Sequence, residues 1–180
     1  NGSDQVVGKI KLWNHMNKFY KPEIVKKIIP ESYDFNSKSQ KLLFEKNYKS
    51  GEIYVIKSKM QRQLGIKITD NLQEIKKNYN IQNILVQHFI KNQLLINNYH
   101  FNIRVFVLVV FKNRNMDIYL YNEGNIRYAS KEFKKNSLDN QSLITKGVSA
   151  QKNIYNDKPI LISDFKLYLK KIGFNYDQIH

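Results

Sequence analysis

The chain contains no cysteine, and only three prolines and seven glycines interrupt its 180 residues. The first absence excludes disulfides and thiolate metal sites, and it allows a reducing compartment. The scarcity of Pro and Gly leaves few hard breaks, and no linker or internal repeat is visible. No apolar run approaches the roughly 18 residues that a membrane-spanning helix needs. The opening Asn1-Gly2-Ser3-Asp4 lacks the charged-then-apolar order of a signal peptide. Carboxylates are also scarce: 15 Asp and Glu against 30 Lys and Arg leave a net charge of +15. Such a chain prefers anionic partners, whether nucleic acid, an acidic membrane surface or an acidic protein tail. The lysines are scattered in pairs, as at Lys26-Lys27 and Lys170-Lys171, so much of the excess reads as solvated surface.

What is present is a packable chain, 42% hydrophobic and 13% aromatic, which excludes a disordered polymer. Pro22 to Ile29 reads as a short helix with Pro in its first turn, and Ser37 to Tyr48 as another with Leu42, Leu43 and Phe44 inward. Gly51 turns the chain into a strand over Glu52–Lys57. Met60 to Gly65 reads as a loop and Ile66–Thr69 as a strand. A helix capped by Asp70 and a strand over Ile84–Ile90 follow. Phe101–Phe111 is almost unbroken in β-branched and aromatic residues, which predicts a central strand covered on both faces. A turn at Lys112-Asn113-Arg114-Asn115 leads into Met116–Tyr121, and a second at Asn122-Glu123-Gly124-Asn125 into Ile126–Ala129. After a polar loop over Gln141–Asp157, Ser163 opens a helix whose apolar positions are Phe165, Leu169 and Ile172, stopped by Gly173. Adjacent antiparallel strands with flanking helices predict an α+β fold.

Within the long strand, Asn102 and Arg104 share one face. A buried arginine requires an anionic partner, either a carboxylate of the chain or a phosphate or carboxylate ligand. Lys57 and Arg127 lie on other predicted strands. Each reads either as a solvent-reaching cation or as a contributor to the same anion site. Gln87 beside Phe89 fits recognition of an adenine amino edge, or an amide satisfied within the sheet.

Several segments, in order, resemble the tubulin–tyrosine ligase-like family of ATP-grasp ligases. They are Trp13-Asn14-His15, Ile29-Pro30-Glu31-Ser32-Tyr33, Ile53–Lys57, Val86–Ile90, Leu94–Ile96 with Phe101–Leu108, and Tyr119–Gly124 with Arg127 and Ala129. The resemblance runs from about Trp13 to Lys152 and is most specific over residues 84–129. It implies a partial ATP-grasp fold, with a largely antiparallel sheet flanked by helices. Residues 1–50 would form a helical and linker part, and 51–180 the nucleotide-binding part. It also implies ATP-dependent ligation of glutamate, glycine or tyrosine to tubulin through an acyl-phosphate. Arg104 and Arg127 would be catalytic. Lys57, Gln87, His88, Phe89, Ile90, His100, Asn102 and Thr145 would hold ATP.

Implied partners are tubulin or microtubules, met through acidic C-terminal tails, with neither membrane nor nucleic acid. The implied location is cytoplasm, cytoskeleton or cilium. The chain departs from the family at Gln61–Ile66, where one glycine remains of the phosphate-binding loop. It departs again at His100 for lysine, at Asn102 for aspartate, and at Lys146 in a segment otherwise aligned by Thr145. The family's magnesium ligands, an Asp and a later Glu-x-Asn, have no counterpart here. Asp157, Asp164 and Asp177 stand apart from one another. Two expectations follow: a ligase domain whose metal ligands lie outside these residues, or an inactive ligase fold that binds microtubules or ciliary structures as a scaffold.

Overall fold

A computed structural model describes residues 8–58, 65–113, 115–135, 137–147 and 152–175. The sequence-predicted sites at Gln61–Leu64 and Asp177 fall outside the described residues. The fold is α+β, and every strand pairing in it is antiparallel among the described residues. The chain divides into two compact units, Asn1–Asn92 and Gln93–His180.

The first unit opens with helices α1 (Lys9–Phe19) and α2 (Pro22–Ile28). Strand β1 (Ser32–Asp34), helix α3 (Lys38–Asn47), strands β2 (Tyr54–Lys57) and β3 (Ile66–Thr69), helix α4 (Leu72–Lys76) and strand β4 (Leu85–His88) follow. The sheet order is β1-β4-β2-β3, so a strand from within residues 1–50 joins the same sheet as those beyond it. Period-2 alternation divides the side chains between two faces. Tyr33, Tyr54, Ile56 and Val86 meet Phe35, Phe44, Ile75 and Ile84 in an aromatic-rich core. Edge-to-face contacts such as Tyr33–Phe44, with centroids 5.2 Å apart, hold that core in a defined geometry. Gly51 takes φ +79°, the left-handed turn expected before β2.

Three local readings are corrected here. Of the three apolar residues assigned to the buried side of α3, only Phe44 is buried; Leu42 and Leu43 are exposed. Leu42 and Leu43 stand two and one residues from Phe44, so on a helix they point elsewhere. The cap of α4 is Asn71, whose Oδ1 accepts the Gln73 and Glu74 N–H groups at 2.9 and 3.2 Å, rather than Asp70. Helix α1 was not expected from the sequence, because none of its residues is buried and its apolar pattern is weak.

The second unit holds strands β5 (Leu95–Ile96), β6 (Tyr99–Lys112) and β7 (Asn115–Tyr128), the short helix α5 (Asn140–Leu143), a 3-10 turn at Lys152–Tyr155, and helix α6 (Ile162–Lys171). Its core is Ile96, Ile126, Tyr128, Tyr155, Ile162, Phe165 and Leu169. Ile162 therefore takes the inward place expected of Ile172, which is exposed. Gly173 ends the helix at φ +83°, as its position predicts.

The expected turn at Asn122–Asn125 is instead a bulge within one continuous strand. Val105 pairs with Gly124 and Val107 with Leu120, so three residues of β7 lie opposite Phe106. This bulge separates two regimes. Below it, β7 alternates buried and half-buried against α6; above it, both strands are exposed along their whole length. The expectation that Phe101–Phe111 is covered on both faces is thus overturned. β6 is the middle strand by order, but β5 reaches only Tyr99 and His100. Phe111 is 75% exposed and Leu120 66%. Their apolar character is real, but α6 and the 3-10 turn cover only the base of the hairpin.

Candidate functional site

In the first unit, register decides which polar groups meet. Val55 lies opposite Gln87 and Lys57 opposite Leu85, while Ser32 lies opposite Gln87 on the other side. Ser32, Gln87 and Lys57 therefore share the sheet face away from the aromatic core. Lys57 Nζ donates to Gln87 Oε1. Gln87 Nε2 donates in turn to Ser32 Oγ at 2.7 Å and to the Pro30 carbonyl at 3.4 Å. Burial, and then the charge of Lys9, push the Lys57 ammonium below the ordinary lysine range. Lys57 is thus a desolvated cation held by a fully bonded amide. Gln87 is engaged within the unit through both its oxygen and its nitrogen.

His88 faces the core side. Its ring centroid lies 4.7 Å from that of Tyr54, and its Nε2 is 3.8 Å from Glu31 Oε2. The Phe89 N–H donates to the Ile53 carbonyl at 2.9 Å, fixing the chain as it leaves β4, and Ile90 is exposed. Ser32 was not singled out in sequence. Its signal was the alternation Ser32-Tyr33-Asp34 before the strand was known to be one.

In the second unit, Asn102 pairs with Arg127 and Arg104 with Asn125, which brings both arginines to one face of the β6–β7 ladder. Asn102 Nδ2 donates to Thr145 Oγ1 at 2.6 Å, and an Ala129–Thr145 bridge holds that loop against the end of β7. Arg127 is lowered from the guanidinium range by burial and by the neighbouring charge of Arg104, yet it remains protonated at neutral pH. Its Nε is buried without a hydrogen-bond partner among the described residues. No carboxylate lies in ion-pair contact with either arginine among those residues. Arg104 is exposed, so the anionic partner expected of a buried arginine is not required there; the pair sets two cations on one face.

His100 sits at the buried base, edge-on to Phe133 with centroids 4.6 Å apart. Burial lowers its imidazole below the ordinary range, so it is neutral at pH 7.

The isolated carboxylates serve the fold. Asp157 accepts from Lys158 at 2.9 Å, and Asp164 Oδ2 accepts the Leu161 N–H at 3.2 Å. Ser163, expected to open α6, does not cap it. Leu161 occupies the cap position, and the carboxylate of Glu123 from β7 takes the cap's place.

The chain matches the model of the tubulin-tyrosine ligase family over residues 4–172. It is also similar to the mouse protein named tubulin polyglutamylase TTLL6, 26% identical over 125 residues. That alignment covers 64% of this chain and 15% of the mouse protein.

Proposed function

Because the chain belongs to the tubulin-tyrosine ligase family, we propose that it carries the anion-binding part of an ATP-dependent ligase that joins an amino acid to tubulin. The observation that supports this most is the Arg104–Arg127 pair, two guanidinium groups on one face with no carboxylate partner among the described residues. ATP, when bound, supplies the phosphoryl group that activates a carboxylate for attack by an amine. Arg104 and Arg127 would hold anionic oxygens and stabilise the charge that gathers on them. The Asn102–Thr145 hydrogen bond orients polar groups beside that pair without adding negative charge. Lys57, held by Gln87, is the cation of the first unit suited to a phosphate. In this reading Gln87 acts by positioning Lys57. The family also implies magnesium, but no three His, Asp or Glu residues converge among those described. No step is assigned to the metal.

The mouse relative's name and the +15 charge support tubulin, with its acidic tails, as partner and the cytoskeleton as location. A second reading, a ligase fold retained as a microtubule-binding scaffold, is favoured by His100 and Asn102 standing where the family resemblance implies lysine and aspartate. Two measurements separate them. Calorimetric titration with ATP, with and without magnesium, tests the nucleotide site. Incorporation of labelled glutamate, glycine or tyrosine into tubulin tests ligation. These 180 residues alone are expected to bind ATP weakly and to incorporate no label. Robust incorporation would overturn the scaffold reading. ATP binding unaffected by Arg104→Gln and Arg127→Gln would overturn the nucleotide-site assignment.

A further inference from the structure

Helices α1 and α2 present a surface that the ligase reading does not use. Between Lys9 and Ile28 the chain carries six lysines against the single carboxylate of Glu23. On α1, Lys11, His15, Lys18 and Phe19 are spaced i, i+4, i+7 and i+8, so they line one side of the helix. Asn14, on the flank of that stripe between Lys11 and Lys18, ties the helix down, its Nδ2 donating to Asp34 Oδ2 at 2.9 Å. The stripe is ordered by its own contacts. His15 Nδ1 lies 2.7 Å from the Lys11 carbonyl, the His15 and Phe19 rings stack with centroids 6.0 Å apart, and Lys18 Nζ lies 5.3 Å from the Phe19 centroid. Phe19 is nevertheless 67% exposed, and Tyr20, Ile24 and Ile28 continue the exposed apolar surface onto α2. Among the described residues, Lys11, Lys18, Lys21, Lys26 and Lys27 form no ion pair with a carboxylate.

We infer that this stripe is the docking surface for an acidic, extended polypeptide segment carrying at least one apolar side chain. Charge complementarity selects the acidic partner: unpaired ammonium groups flanking an exposed ring attract carboxylates and repel basic chains. The ring selects a polypeptide with an apolar residue over a purely charged polymer, because Phe19 gains by being covered. The inference rests on the proposed function only for the source of the segment, an acidic tubulin tail. The surface itself stands on the geometry of α1 and α2.

The probe is a glutamate-rich peptide with one phenylalanine and a terminal fluorophore, titrated with the full chain while its anisotropy is followed. Lys11→Glu with Lys18→Glu is expected to weaken binding about tenfold or more, since like charges now face the peptide. Lys170→Glu with Lys171→Glu, an equal charge change on α6, is expected to stay within about threefold, since it alters the net charge without changing the stripe. Both lysine pairs are exposed, and thermal unfolding of each variant checks that it folds.

Equal weakening by the two double variants would overturn the proposal in favour of diffuse charge. Equal affinity for a glutamine-rich counterpart, or tighter binding of duplex DNA than of the peptide, would also overturn it. Failure to ligate tubulin leaves these outcomes unchanged. Loss of the peptide interaction with ATP binding intact would sink this inference alone.

Discussion

Glu123 on β7 caps helix α6 across the chain: its Oε1 accepts the Ile162 backbone N–H at 2.8 Å. The same oxygen takes the Ser163 N–H at 3.3 Å and its neighbour Gly124's at 3.0 Å. One carboxylate thereby serves two donors that a helix N-terminus leaves open, at the end where the macrodipole favours negative charge. It does so because Leu161, at the cap position, has no side-chain acceptor. The bulge in β7 aims Glu123 at the helix, and the base of the hairpin, with both arginines, is fixed to α6.

Glu123 gives the fold an acid limb. Its carboxyl is held below the ordinary glutamate range by the Gly124 N–H, then by Ser163 and the Ile162 N–H. A depressed folded-state pKa contributes stability that is present above the unfolded value and is lost as pH falls through the folded one. Glu123→Gln should lower stability at neutral pH and flatten its decline on acidification, as read by urea midpoints across the acid range. An unchanged acid limb would mean that the carboxylate contributes nothing through its charge.

Gly124 should tolerate no side chain. A Cβ there would stand 2.3 Å from the Arg104 carbonyl oxygen and 2.8 Å from Ile162 Cδ1. The first neighbour is backbone and cannot rotate away. Gly124→Ala should cost about 1–3 kcal/mol or more, as overpacking does, and should displace the arginine face as well. A melting temperature within a degree or so of the parent would contradict the close approach.

The arginine pair should separate binding from stability. A structural arginine leaves a stranded carboxylate when it is removed, and neither Arg104 nor Arg127 has one among the described residues. Arg104→Gln and Arg127→Gln should each change stability by no more than about 0.5 kcal/mol, while affinity for pyrophosphate falls severalfold. A large loss of stability would expose a hidden structural partner.

The hairpin above the bulge should make the isolated chain sticky. Two long apolar strands whose outer edges are unpaired among the described residues, with open faces, template association. Val107 pairs with Leu120, both exposed, so Val107→Lys or Leu120→Lys places a charge on that surface without emptying a core. Each should reduce light scattering and hydrophobic-dye binding while leaving the melting temperature nearly unchanged. A marked fall in melting temperature would show that these side chains pack in solution.

Much of this protein was already legible in the order of its residues. Runs of β-branched and aromatic residues between turn residues marked β2, β3, β4 and the β6–β7 hairpin, because β-propensity and turn chemistry act locally. Gly51 and Gly173 announced their left-handed turns, since few other residues take that backbone conformation cheaply. Arg104, Asn102, Arg127 and Thr145 were singled out from the chain's own pattern and its family resemblance, and the first three share one face with Thr145 bonded to Asn102. What the chain could not settle was every question of partnership. Whether Gln87 reads a ligand or holds Lys57 depends on the register that lays Ser32 and Lys57 beside it. Whether Asn122–Asn125 turns or bulges depends on α6 arriving to be capped by Glu123. Whether Phe101–Phe111 is covered depends on what stands over its faces, and apolar composition measures the need for cover without supplying it. Local propensity is a property of neighbours in sequence; caps, registers and burial are fixed by neighbours in space.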